Sequence, residues 1–157
     1  ALPELRARAR EQGRGDAELR AWLLEGRGMA RLGRAEEAER ATLHARTLLS
    51  TERTRNRVYS LHLALTEGAA QKAAGRYPEA MRVFEEAARD ARESGIVLLE
   101  LEARLGLGSA ELAAGSASGR DRLETLANEA EFRGAHRIAR EARALIREDR
   151  PSPGVNG

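Results

Sequence analysis

A reactive centre in this 157-residue sequence would have to be drawn from three histidines, one tryptophan and a large stock of carboxylates, because there is no cysteine. The missing thiols exclude disulfides, thiolate zinc sites and thiol nucleophiles. His44, His62 and His136 fall on three separate predicted helices, and none has a second ligand three or four residues on, the spacing that puts two imidazoles on one metal. No glycine-rich phosphate loop, nucleophile elbow or metal–carboxylate motif is present. Most carboxylates have an arginine within a turn, so no pair stands out for acid–base work. Trp22 could stack on a ligand, but its position in a repeat described below favours packing. The expectation is a protein that is not an enzyme, with no catalytic residues, cofactor or metal.

Charge points the same way. The 27 basic and 25 acidic residues leave a net charge of +2, and the basic side is arginine except for Lys72. Glu36 with Arg40 and Arg137 with Glu141 are typical intrahelical pairs, each worth about 0.2–0.5 kcal/mol on a solvated face. Nucleic-acid binding needs uncompensated positive charge on one face. Arg6, Arg8 and Arg10 come closest, yet alternate helical residues diverge by about 200°. A nucleic-acid-associated array is therefore the secondary expectation. No apolar run reaches the ~20 residues of a membrane span, and no signal-peptide pattern opens the chain. No membrane association and a cytoplasmic location are the defaults.

The elements that must position these residues are helices. Ala, Leu, Glu and Arg dominate, and aromatics make up 3%, too few for a β-sandwich. Helical periodicity predicts helices over 3–12, 16–32, 35–49, 51–74, 78–93, 97–114, 119–133 and 135–148. Gly13-Arg14-Gly15 is expected to break the first from the second, with Asp16 as N-cap, and Ser50 or Thr51 to cap the fourth. The last helix places Ile138, Ala142, Leu145 and Ile146 on one face and Arg137, Arg140, Glu141, Arg143 and Glu148 on the other, as a terminal cap requires. Residues 151–157 read as a flexible tail containing only Val155 as a core-forming residue.

A repeat organises the helices. Trp22, Gly26, Met29, Gly33 and Ala38 match Ala64, Gly68, Gln71, Gly75 and Ala80 at identical offsets, 42 residues apart. A third copy 40 residues further on keeps Gly108 and Gly115 but has Arg120 in place of the alanine. Gly26, Gly68 and Gly108 lie inside helices, where glycine costs about 1 kcal/mol relative to alanine. That cost is intelligible if each admits a neighbouring helix, with Ala38 or Ala80 as the facing small residue. Gly33, Gly75 and Gly115 lie at helix ends, where a left-handed residue reverses the chain. Met81, Phe84, Ala87 and Ala88 form an apolar stripe that one hairpin cannot bury alone, so neighbours must stack.

Gly75-Arg76-Tyr77-Pro78-Glu79-Ala80, followed by Phe84 and Ala87, resembles the second half of a tetratricopeptide repeat. Ala64 and Gly68 fall at first-helix positions of that repeat, and Trp22, Gly26, Gly33 and Ala38 match it again, tryptophan included. The likeness covers about residues 19–114. The repeats are longer than the family's usual 34, Glu25 and Glu67 replace a preferred leucine, and the usual terminal proline is missing. Leu99 to Leu107 and Glu111-Leu112-Ala113-Ala114-Gly115 are similar to tetratricopeptide tails of bacterial multidomain signalling proteins. The resemblance implies an all-α fold of about seven helices, stacked as antiparallel hairpins in a right-handed α-solenoid. The expected division is a partial repeat helix at 1–15, repeats at 16–50, 51–95 and 96–134, and a cap at 135–150. Because the chain opens Ala-Leu-Pro, the first segment is expected to complete a repeat begun upstream, packing Leu2, Leu5 and Ala9 on the helix of Trp22.

The resemblance also implies a non-catalytic protein-interaction module whose first helices line a concave groove. Carried across, the groove positions are Arg20, Leu23, Arg27 and Arg31, then His62, Leu65, Ala69 and Lys72, then Glu102, Leu105, Ser109 and Leu112. They make an apolar floor with a basic first half, suited to an acidic peptide carrying small hydrophobic anchors. The carboxylate clamp of some family members would fall on Leu23, Arg27, Thr66, Glu102 and Gly106, of which only Arg27 suits that chemistry.

Overall fold

The computed structural model describes the backbone of residues 2–50 and 56–149, and side chains from Gly13 onward within those ranges. The described residues form seven α-helices and no strand: α1 (Leu2–Arg31), α2 (Ala35–Leu49), α3 (Arg57–Ala73), α4 (Tyr77–Glu93), α5 (Val97–Ala113), α6 (Ser118–Phe132) and α7 (His136–Glu148). Two compact units divide the chain, residues 1–83 and 84–157, with the division falling inside α4.

One turn chemistry ends most of the helices. Gly33 takes φ +71°, its N–H bonds to Ala30 O at 3.1 Å, and the next N–H, from Arg34, reaches back to Met29 O at 2.9 Å. This is the Schellman arrangement, which satisfies carbonyls that the helix end would otherwise leave open. The same pair of bonds recurs at Gly75, Gly95, Gly115 and Gly134. Glycine is required because a Cβ in this left-handed region costs roughly 1–2 kcal/mol.

Two expected boundaries are corrected. Gly13-Arg14-Gly15 does not break the chain, and α1 runs through it as one helix of 30 residues. Neither glycine adopts positive φ, so each only weakens the helix locally and nothing forces a reversal. Asp16 is accordingly inside the helix and caps nothing. Because 3–12 continues the helix of Trp22, it cannot fold back on it as a hairpin partner. The side chains of Leu2, Leu5 and Ala9, like those of Arg6, Arg8 and Arg10, lie outside the described residues, as do Thr51 and the 151–157 tail. The second correction is at α3, which starts at Arg57: Asn56 in extended conformation accepts Val58 N–H on Oδ1 at 2.8 Å. Ser50 instead closes α2, its N–H bonded to Arg46 O at 3.0 Å.

In unit 1, α1, α2 and α3 pack against one another. Leu19, Leu23, Ala45, Leu49 and Leu63 form an apolar cluster, edged by Trp22, Leu48 and Tyr59. Gly26 admits the close packing: a Cβ there would lie 2.7 Å from Thr66 Cγ2 and 3.4 Å from Ala41 Cβ, with Ala38 O at 3.5 Å. In unit 2, α5, α6 and α7 bury Leu101, Leu123, Leu126, Ala127, Ala130, Ile138, Ala139 and Ala142 together. Gly108 meets Leu123 there as Gly26 meets Ala41, nineteen positions along the repeat from Trp22 and from its third-copy counterpart Arg104. The small surface missing at Arg120 is supplied by Gly119, whose added Cβ would come 2.7 Å from Leu112 N. The apolar face expected of α7 points inward, with Ile138 and Ala142 buried and Leu145 and Ile146 packed on the cluster, while Arg137, Arg140, Arg143 and Glu148 are exposed and Glu141 is half-buried.

Candidate functional site

Two contacts and one longer-range charge interaction place α1 and α3 side by side and parallel. Arg20 Nε donates to Tyr59 Oη at 3.0 Å, Gly26 meets Thr66, and Arg31 lies close enough to Lys72 for their charges to interact. The paired positions rise together, from 20 and 59 through 26 and 66 to 31 and 72. The α1 guanidiniums and the polar residues of α3 are thereby carried along one face of unit 1. Thr66 at the middle contact is fully buried, and its hydroxyl donates to His62 O at 2.8 Å, which holds its methyl toward Gly26.

The two ends of this face differ in electrostatics. At the first, the Arg20 guanidinium carbon is 5.9 Å from the centroid of the Tyr59 ring, a cation–π distance. The hydrogen bond to Tyr59 pushes the Arg20 pKa up, and the guanidinium stays charged. At the other end, burial of the Lys72 ammonium lowers its pKa, and the Arg31 charge lowers it further. Arg27, between them, is half-buried and Arg31 is exposed.

The expected groove residues divide between the units. Arg20, Leu23, Arg27, Arg31, His62, Leu65, Ala69 and Lys72 belong to unit 1, and Glu102, Leu105, Ser109 and Leu112 to unit 2. Leu23 is part of the unit 1 core, and Leu65 and Ser109 are also buried. Those three contribute packing, because a 3.6-residue period turns alternate groove positions toward the neighbouring helix. Leu105 and Leu112 lie half-buried against the α5–α7 core. Glu102 receives Arg137 Nη2 at 2.5 Å, a tie from α7 to α5. The accessible part of the set in unit 1 is therefore Arg20, Arg27, Arg31, His62, Ala69 and Lys72. Tyr59 joins it unforeseen, for nothing in its sequence neighbourhood points to Arg20, 39 residues away.

Other candidate residues have local explanations. Trp22 stacks on His44 between α1 and α2, with ring centroids 4.4 Å apart and planes at 16°. His136 Nδ1 lies 2.8 Å from Glu131 Oε1, and Arg143 donates to the second oxygen of Glu131 at 2.9 Å. Those two hydrogen bonds, the Arg143 one foremost, hold the exposed Glu131 carboxyl below the ordinary glutamate range. Among the described residues no three His, Asp or Glu side chains are grouped to hold a metal, and no helix is long and apolar enough to cross a membrane. No protein-family model, curated protein or solved structure matches the chain.

Proposed function

We propose that this chain is a non-catalytic, tetratricopeptide-like interaction module that receives an acidic peptide segment on the α1–α3 face, as part of a larger regulatory protein. The observation that carries the reading is the line of cations along that face, from Arg20 through Arg27 and Arg31 to the partly buried Lys72. A carboxylate brought between two such cations gains two attractions at once. Small neighbours support a helical or extended ligand, since Ala69 leaves room for hydrophobic anchors between the charges. Further support comes from the hairpins within each unit and from the recurring glycine turns, the features shared with stacked helical repeats. Stacking of the antiparallel hairpins as a right-handed solenoid is part of the same proposal.

The test is titration of the whole chain with fluorescent peptides that alternate Glu with Ala and Leu, beside charge-reversed controls. The acidic peptides bind and the basic ones do not. Replacing Arg27, Arg31 and Lys72 together by Glu leaves helicity and melting nearly unchanged and abolishes binding. Undiminished affinity in the triple variant removes this face as the site. Binding of a single-stranded RNA in preference to the peptides, weakening steeply with salt, supports the nucleic-acid alternative instead.

A further inference from the structure

The opposite side of α3 carries a second feature, independent of the face just described. A cleft of about 200 Å³ opens between α2 and α3, lined by Glu39, Thr42, Leu43, Arg46, Glu67, Ala70, Gln71 and Arg76. Two ion pairs cross it in antiparallel register, Arg46 to Glu67 and Arg76 to Glu39. Gln71, one of the lining residues, has its Oε1 buried without a hydrogen-bond partner, alone in this among the described side chains. A buried unsatisfied acceptor is unfavourable unless something else uses it.

The inner wall is rich in acceptors. Thr42 commits its hydroxyl hydrogen to Ala38 O at 2.7 Å and has only lone pairs left to offer. Glu67 takes both Arg46 donors on Oε1, with Nε at 2.9 Å, which leaves Oε2 uncommitted. The Arg46 side chain is 59% exposed and that of Glu67 only 21%, so in this pair the carboxylate sits deep and the cation at the rim. Leu43 and Ala70 complete the cleft with apolar surface. We propose that this cleft binds a cationic N–H donor on an aliphatic stem. The head bonds Gln71 Oε1 and Glu67 Oε2, and the stem lies on Leu43 and Ala70. The chemistry is that of an arginine side chain on a partner, or of a free alkylamine. Gln71 stands where the first repeat has Met29, so a polar side chain replaces an apolar one at an otherwise repeating position.

Amide chemical-shift titration of the full chain tests this, with N-acetyl-arginine amide and n-butylammonium as probes and sodium chloride of equal ionic strength as control. Saturable shifts are expected at residues 39–46 and 67–76 and absent with sodium. Binding of the arginine probe alone identifies a partner's side chain as the source, and equal binding of butylammonium a free amine. Gln71→Leu is expected to weaken binding at least tenfold while holding or raising the melting temperature, because it removes the orphaned acceptor. Glu67→Gln weakens binding to a similar degree and serves if the leucine variant does not fold. Failure of both probes to saturate overturns the proposal, as does wild-type affinity in whichever variant is folded.

Discussion

Gly26 on α1 and Thr66 on α3 approach so closely that a methyl on the glycine would sit 2.7 Å from Thr66 Cγ2. Thr66 cannot turn aside cheaply, because it is fully buried and its hydroxyl is bonded to His62 O. Gly26→Ala therefore gains helix propensity but loses more to overpacking, for a net destabilisation of about 1–3 kcal/mol. Thr66→Ser removes the obstructing methyl and should restore most of that loss in the double variant. Urea denaturation of the four members of this cycle measures the coupling. Additive effects would show that the contact does not limit the approach of α1 and α3.

Glycines elsewhere in the chain carry the opposite sign. Added methyls at Gly13 and Gly15 would meet nothing within 4 Å, and both residues are helical without positive φ. Alanine at either position should stabilise α1 by about 0.5–1 kcal/mol and raise its helicity. Gly33→Ala also meets open space but is held at φ +71°, so it should cost roughly 1–2 kcal/mol. Circular dichroism with thermal melting separates the cases. Destabilisation by alanine at 13 or 15 would mean that α1 is not continuous there.

Lys72 makes stability depend on alkaline pH. Its folded pKa is lowered by burial and by Arg31, so the unfolded chain holds this proton more tightly than the folded one. Between the lowered folded value and the ordinary lysine value near 10.4, the unfolded state binds more protons and stability rises with pH. Below that window the full penalty is present, and above it the penalty is gone. Lys72→Met removes the penalty, melting higher than wild type at neutral pH and converging with it as pH approaches 10.5. Parallel melting curves with a constant gap would rule out titration of Lys72 as the cause.

Ile138 on α7 is fully buried in the unit 2 core with Leu123 and Leu126. Ile138→Ala should cost about 2–4 kcal/mol through lost burial and a residual cavity. Arg140→Gln, on the exposed face, should change stability by less than about 0.5 kcal/mol. Deleting residues 135–150 uncovers that core, and aggregation or loss of cooperative unfolding should follow. A truncated chain that stays monomeric and equally stable would remove α7 from its capping role.

What the sequence determined by itself was local. Seven of the eight predicted segments correspond to helices α1 to α7 because amphipathic periodicity and turn glycines act within a few residues. The left-handed requirement at Gly33, Gly75 and Gly115 is legible from spacing alone, since only glycine suits a Schellman turn at a fixed repeat position. The segment that failed, 3–12, failed for a local reason too: a glycine inside a run of good helix formers weakens a helix without supplying a reason to turn. Tertiary structure decided everything that depends on which helix faces which. Leu23 and Leu65 carried no sign that they would be buried, because a 3.6-residue period tells which residues share a stripe and not what lies against it. Glu67 and Glu111 have no arginine within four residues, and their partners Arg46 and Arg122 come from neighbouring helices. The Arg20–Tyr59 bond, the Arg31–Lys72 repulsion and the orphaned Gln71 oxygen arise in the same way. Each joins residues set together by helix packing, whose register is fixed by close contacts such as Gly26 with Thr66 across many intervening residues.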